Sequence, residues 1–283
     1  MTGYLDKRKK GVSGWKKRFF VLKRNSLLYY KDDSMQNLKG LIWTETCRVE
    51  NRTYVPEKGG WMKNKDDLQR ADRGVLMIAS SSSTGRSDSM YMMPSDNGSD
   101  LELQPWFLQL RLIIARATYI KQEEALTREP DSRILNFVDE CTVQQELALS
   151  HSELGLEAAV CLGAILPFAT GLTRIEVTEA SVDDLQLGQL VRPLAKGFPS
   201  LNALSLGGNM LTADSAKHLV TALASREVPL VLSLCNNQIG DDGVTALASA
   251  LWGGALPSCT TIDLGNNQIE DDGVAALASA LRG

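Results

Sequence analysis

Residues 3–31 read GYLDKRKKGVSGWKKRFFVLKRNSLLYYK. Ten of these residues are Lys or Arg and one, Asp6, is acidic, in a chain of 283 residues whose formal net charge is -4. Positive charge this concentrated calls for an anionic partner. Lys16, Arg18 and Phe20 alternate with Trp15, Lys17, Phe19 and Val21, and Asn25-Ser26 then makes a short turn into Leu27-Leu28-Tyr29-Tyr30. A period of two with a turn between the runs predicts an antiparallel meander, with its basic side chains at an open rim.

Working outward, residues 39–43 predict a fourth strand and residues 47–50 a fifth. Residues 51–73 are polar, with Gly59-Gly60 and mixed charge, which predicts a long surface loop. The apolar runs 74–79 and 90–93 predict strands six and seven, separated by a flexible Ser-rich run, 80–89. From residue 100 to 120, Trp106, Leu110, Ile113, Ala117 and Ile120 recur at spacings of four and three, one stripe of an amphipathic helix. Pro105 is tolerated only in a first turn, so the helix either starts late or is kinked.

Gly3-Tyr4-Leu5, the run WKKRFFVL at 15–22 and Leu28-Tyr29-Tyr30-Lys31 together resemble the first three strands of a pleckstrin homology (PH) domain. That resemblance implies a seven-stranded antiparallel β-barrel over residues 1–121, capped by a C-terminal helix with Trp106 turned inward. It also implies a phosphoinositide site, because Lys7, Lys16 and Arg18 match the basic motif K-Xn-(K/R)-X-R of lipid-binding members, and Tyr30 falls on an assisting third-strand tyrosine. Arg8, Lys9, Lys10 and Lys17 would strengthen the field. Arg grips a phosphate through two parallel hydrogen bonds and Lys adds a mobile point charge, so these residue types suit a multiply charged headgroup. Basic solvated strands also occur without a ligand, and a PH-like domain also serves as a protein-interaction module. Nucleic acid is not an expected partner: Trp15, Phe19 and Phe20 sit where the fold needs apolar filling, and no nucleic-acid motif is present.

The charge divides along the chain. Residues 1–121 carry 22 Lys+Arg against 13 Asp+Glu, a net +9, and residues 122–283 carry 8 against 21, a net −13. Two modules facing different partners are implied. Residues 122–132 read as a linker or a continuation of the helix, and the apolar residues 134–138 as a cap on the repeats beyond them. From 133 to 283 the blocks LALSHSEL, IEVTEASV, LSLGGNML, LSLCNNQI and IDLGNNQI place a common site at Ser152, Ala180, Asn209, Asn237 and Asn267, at intervals of 28, 29, 28 and 30 residues. Helical runs such as GDDGVTALASAL separate them. These units resemble leucine-rich repeats of the ribonuclease-inhibitor type, which implies an α/β solenoid of about five repeats, with a parallel sheet on the concave face and helices outside. Asn at the common site satisfies backbone groups left unpaired where each strand ends. With Ser152 and Ala180 in its place, the first two turns are expected to be less well stapled.

The concave face is expected to present His151, Arg174, Glu176, Glu179, Asn236, Asp263 and Asn266 to a protein partner. Asp241-Asp242 and Asp271-Asp272 stand at helix starts, where acids favour the dipole, and their spacing does not fit a calcium loop. No nucleophile, base and oxyanion donor converge, so no catalytic residue, metal or cofactor is expected and the chain reads as a non-enzyme. Cys47, Cys141, Cys161, Cys235 and Cys259 form no CxxC pair and read as reduced, mostly buried thiols. No stretch reaches the ~20 apolar residues of a membrane span. A last repeat ending at Leu281-Arg282-Gly283 without a polar cap suggests a fragment truncated at the C-terminus, or self-association at that end. The expected function is a cytoplasmic signalling adaptor, a peripheral protein held reversibly at a phosphoinositide-containing membrane, with repeats that bind a protein. The alternative is a GTPase or actin-cytoskeleton regulator acting through the repeats.

Overall fold

The computed structural model describes residues 1–9, 15–23, 26–43, 47–53, 74–81, 87–94, 103–196, 200–224, 226 and 228–282. It divides into two units, Met1–Lys121 and Gln122–Gly283.

The first unit holds β1 (Thr2–Lys9), β2 (Lys16–Leu22), β3 (Ser26–Tyr30), β4 (Leu38–Trp43), β5 (Cys47–Thr53), β6 (Gly74–Ser81) and β7 (Ser87–Pro94). They form one antiparallel sheet in the order β4-β3-β2-β1-β7-β6-β5. The expected barrel thus corresponds to a seven-stranded sheet with β4 and β5 at its ends. Two polar stretches are more regular than their composition suggests. Strand β5 continues past residue 50, with Thr53 opposite Gly74, and in the Ser-rich run Ser81 pairs with Ser87. Ladder hydrogen bonds come from the backbone, so polar side chains do not prevent pairing. Residues 54–73 of the expected loop and 82–86 of the Ser-rich run lie outside the described residues.

Helix α1 (Leu103–Ala125) covers the sheet. It places Pro105 in its first turn, where a missing N–H costs nothing. Leu103, Trp106 and Leu110 join Leu5, Phe20, Leu22, Leu27, Ile78, Met90 and Met92 in one buried cluster. Trp106 meets Phe20 edge-on, with ring centroids 6.3 Å apart. Gly3 lies opposite Phe20, and a Cβ there would come within 3.3 Å of the Trp106 ring, so the indole occupies the space that the missing side chain leaves.

In the second unit α2 (Ser132–Glu140) is followed by five strand–helix pairs: β8 (Glu146–Ser150) with α3 (Leu156–Ile165), β9 (Arg174–Thr178) with α4 (Asp184–Val191), β10 (Ala203–Ser205) with α5 (Ala213–Leu223), β11 (Leu230–Ser233) with α6 (Gly240–Trp252), and β12 (Cys259–Asp263) with α7 (Asp271–Ala280). The strands form a parallel sheet in sequence order, β12-β11-β10-β9-β8. Leu147, Leu149, Ile175, Val177, Leu204 and Leu232 point into the core with the buried faces of the helices, and alternate residues face out.

Three buried asparagines tie consecutive units. Asn209 Oδ1 accepts from the amides of Ala180 (3.0 Å) and Val182 (3.1 Å), and its Nδ2 donates to the carbonyls of Val177, Leu206 and Gly207. Asn237 does the same for Asn209 and Leu211, and Asn267 accepts from Ile239. Each amide therefore staples the preceding turn as well as its own. The second turn lacks an amide of its own at Ala180, and Asn209 ties it from the following unit. The first turn has another device. Arg133, one residue into α2, donates to the Ser150 carbonyl at 3.1 Å and to Ser152 Oγ, and is itself held by Asp131 at 2.7 Å.

A second staple runs between helix starts. Asp184 accepts from the Thr212 amide (3.0 Å), the Thr212 hydroxyl (2.6 Å), the Ser215 amide (3.2 Å) and the Ser215 hydroxyl. Asp241 likewise accepts from the Glu270 amide at 2.8 Å, so it caps the next unit as well as favouring its own dipole. Burial pushes the Asp184 carboxyl up, but the hydrogen bonds from Ser215 and Thr212 outweigh it and hold it below the usual Asp range. A lowered folded value means stability that is present at neutral pH and is lost as pH falls from about 4. Urea-denaturation midpoints measured from neutral to acid pH should fall less steeply in Asp184→Asn than in the wild type; parallel curves would exclude this role.

Candidate functional site

Strand register sets which basic residues share a face. Lys7 lies opposite Lys16 and Leu5 opposite Arg18, and Leu5 and Phe20 are buried on that same face. Lys7, Lys16 and Arg18 therefore continue the core face beyond its apolar filling, at the end of the sheet where β1 finishes and β2 begins. Lys16 is exposed, and Lys7 and Arg18 are half-buried. The Lys7 ammonium sits 3.6 Å from the centroid of the Tyr29 ring, and Arg18 Nη1 donates to the Lys17 carbonyl at 2.7 Å. Three cations brought to one rim on a rigid sheet can grip a multiply charged anion.

Tyr30 is not part of that rim. It pairs with Phe19, one residue out of phase with Arg18 and Phe20, and so lies on the opposite face of the sheet. The aromatic ring beside the basic residues is that of Tyr29, which pairs with Phe20 and packs on it at 5.7 Å. Lys17 also belongs to the outer face, opposite Asp6, with its ammonium 5.3 Å from the Tyr4 ring. Arg8 and Lys9 pair through their backbones with Tyr91 and Met90 of β7, and Lys10 lies outside the described residues.

The second unit presents a patterned face. Glu146, Arg174, Ala203, Val231 and Thr261 lie side by side in register across the parallel strands, and Ala148, Glu176, Ser205, Ser233 and Asp263 form the next row. Beyond the strand ends His151, Glu179, Gly208, Asn236 and Asn266 occupy equivalent positions with φ of 56, 51, 70, 55 and 55°. That left-handed conformation suits Gly and Asn, and costs another residue about 1 kcal/mol. Glu179 nevertheless holds it. Its side chain lies across Gly208, where a Cβ would approach to 2.7 Å, and it meets His151 Nδ1 at 2.7 Å. Asn266 donates to Asn236 at 2.8 Å. All seven expected face residues are thus on this surface: Arg174, Glu176 and Asp263 in the rows, and His151, Glu179, Asn236 and Asn266 on the ridge. The ridge itself had no sequence signal beyond the recurrence of the common site one residue later.

Burial pushes the Cys161 thiol up to about 12 and that of Cys141 to about 11, which keeps both neutral at physiological pH. Among the described residues no three His, Cys, Asp or Glu side chains gather as a metal site, and no helix is long and apolar enough to cross a membrane.

Residues 1–87 match the family model described as PH domain, and residues 230–248 and 258–278 match that described as Leucine Rich repeat. The chain contains a PH domain followed by leucine-rich repeats. It is similar to Rho GTPase-activating protein 25 of Homo sapiens, at 33% identity over 58 residues, 20% of this chain and 9% of that protein. Against the Mus musculus protein the figures are 28% over 112 residues, 40% of this chain and 15% of the relative. The chain thus spans a small part of the curated relatives it matches. Among solved structures it is similar to the pleckstrin homology domain of human KIAA0053 protein (27% identity, 40% of this chain and 86% of that one, TM-score 0.30). It is also similar to the Slm1 PH domain (16%, 40% and 96%, TM-score 0.29) and to Leiomodin-1 actin-binding site 2 (16%, 54% and 87%, TM-score 0.44).

Proposed function

We propose that this chain, with a PH domain ahead of leucine-rich repeats, is a non-enzymatic adaptor recruited to phosphoinositide-bearing membranes. Residues 1–121, with their sheet curled as a barrel, take the lipid headgroup; residues 122–132 join them to a solenoid, 133–283, whose concave sheet face binds a protein. The protein is then cytoplasmic and reversibly peripheral. The observation that carries this reading is the convergence of Lys7, Lys16 and Arg18 on one face at the open end of the sheet. Each charge-assisted hydrogen bond to phosphate contributes on the order of 1.5–3 kcal/mol. Lys16→Ala with Arg18→Ala therefore weakens binding to phosphoinositide-containing phosphatidylcholine vesicles by at least about tenfold. Sedimentation with and without the phosphoinositide measures it, and equal binding of the double variant and the wild type sinks the assigned site.

A second reading rests on the 33% identity over 58 residues with a protein named Rho GTPase-activating protein 25. In it the chain is a regulator of small GTPases. Stimulated GTP hydrolysis by purified Rho-type GTPases favours this reading, and no stimulation across a panel removes it.

A further inference from the structure

On the outer face of the first sheet, Tyr4, Phe19 and Tyr30 lie in register across β1 to β3, with Tyr4 edge-on to Phe19 at 5.1 Å, and Leu38 of β4 pairs with Tyr30 past a register shift that follows the Tyr29–Gly40 pair. Leu41 lies on the same face opposite Leu28. Leu38 is 52 % exposed, and Met35, in the turn between β3 and β4, is also 52 % exposed. Single exposed apolar residues are ordinary on a protein surface, but here they adjoin. The strand pairing also fixes where they are. Since Phe19 is opposite Tyr30 in an antiparallel pair, residues 31–37 run beside the Lys16–Arg18 end of β2. The turn that carries Met35 and the basic rim therefore occupy the same end of the sheet.

The turn is held in shape. The Lys31 amide donates to the Asn37 carbonyl (3.0 Å), the Met35 amide to the Asp32 carbonyl (3.3 Å), and the Asp33 amide to the Tyr4 hydroxyl (3.0 Å). Met35 has a φ of 55°, in the left-handed region. Lys17, Lys31 and Lys39 are exposed around this surface, and Asp32 and Asp33 lie within the turn. The local charge is therefore nearly balanced, and any gain at this tip comes from burial of apolar surface with lysine stems reaching to polar surroundings.

We propose that Met35 and Leu38 form a membrane-entering tip that docks into the hydrocarbon boundary of an anionic leaflet while the adjacent Lys7–Lys16–Arg18 rim holds a lipid phosphate. The proposal rests on the phosphoinositide reading above. A bilayer is the partner that presents phosphate and hydrocarbon side by side, which is the combination found at this end of the sheet. Burying the remaining half of a Met and a Leu strengthens binding by at least about tenfold together.

The test uses the full chain carrying Met35→Ser and Leu38→Ser, both exposed positions. Sedimentation is measured with phosphatidylcholine–phosphatidylserine vesicles, with and without phosphatidylinositol bisphosphate, and calorimetry with soluble inositol trisphosphate. The double variant should bind vesicles at least about tenfold more weakly and keep wild-type affinity for inositol trisphosphate. Vesicle binding equal to wild type overturns the tip, whether or not the soluble headgroup binds, and leaves this face to a protein partner. Should phosphatidylinositol bisphosphate add nothing to wild-type binding and the trisphosphate not bind, the phosphoinositide reading fails. The tip is then judged on phosphatidylserine vesicles alone, where loss of binding in the variant supports it, and unchanged binding or none in the wild type overturns it.

Discussion

Asn209→Ala is expected to lower the unfolding free energy of the second unit by about 3 kcal/mol, because a buried polar group stripped of its partner costs about 1–3 kcal/mol. The side-chain amide accepts two backbone N–H groups and donates to three carbonyls, and the residue is 6 % exposed, so water does not readily replace it. Ala leaves the amides of Ala180 and Val182 without their acceptor. Asp at this position keeps the acceptor but loses the donations to Val177, Leu206 and Gly207, so it does not rescue. Since stacked repeats are coupled chiefly through neighbour interfaces, the damage should concentrate between the second and third pairs. Urea denaturation gives the total, and hydrogen exchange at Ala180 and Val182 gives the place. A loss below about 1 kcal/mol contradicts the staple.

Gly163→Ala sets two effects against each other. Ala is favoured over Gly in a helix interior by about 1 kcal/mol. At Gly163, however, a Cβ would lie 2.4 Å from the Gln189 carbonyl oxygen, where α4 packs on α3. The obstacle is backbone, which cannot swing aside, and overpacking a well-filled site costs typically 1–3 kcal/mol, at the upper end where backbone must move. The clash wins, and a net loss of about 2 kcal/mol is expected. Gly171→Ala is the control: the nearest atom, the Gln144 carbonyl oxygen, is 3.9 Å away, and its change should stay within about 0.5 kcal/mol. Thermal melts of the two variants compare them directly, and a Gly163 variant as stable as wild type would mean that the two helices separate at little cost.

Local patterns marked much of this chain. The alternation from Trp15 to Val21 named β2, and the apolar run from Leu27 to Tyr30 named β3. The asparagine ladder was visible for a related reason: Asn209, Asn237 and Asn267 repeat one local geometry, so the requirement recurs at a near-constant interval. The devices that occur once left no such trace. Arg133 and Ser152 meet across 19 residues, and Asp184 and Ser215 across 31, with nothing at either position to mark its partner. A side chain's reach across units is set by packing, and no periodicity in one strand or helix records it.

The rim shows the same division at the scale of one residue. Lys16 and Arg18 are two apart on one strand and so must share a face. Lys7 was added by the resemblance to the basic motif of PH domains and joins that face only through its pairing with Lys16. Of Tyr29 and Tyr30 the resemblance selected Tyr30, although the strand period alone could have put either beside the cations. Pairing of Phe20 with Tyr29 and Phe19 with Tyr30 decided it, placing Tyr29 under the Lys7 ammonium and Tyr30 on the outer apolar row. Residue types and their period are local properties, legible along the chain. Register between strands is a relation between two stretches of chain, and a shift of one residue exchanges the two faces, so it exists only once the strands have paired.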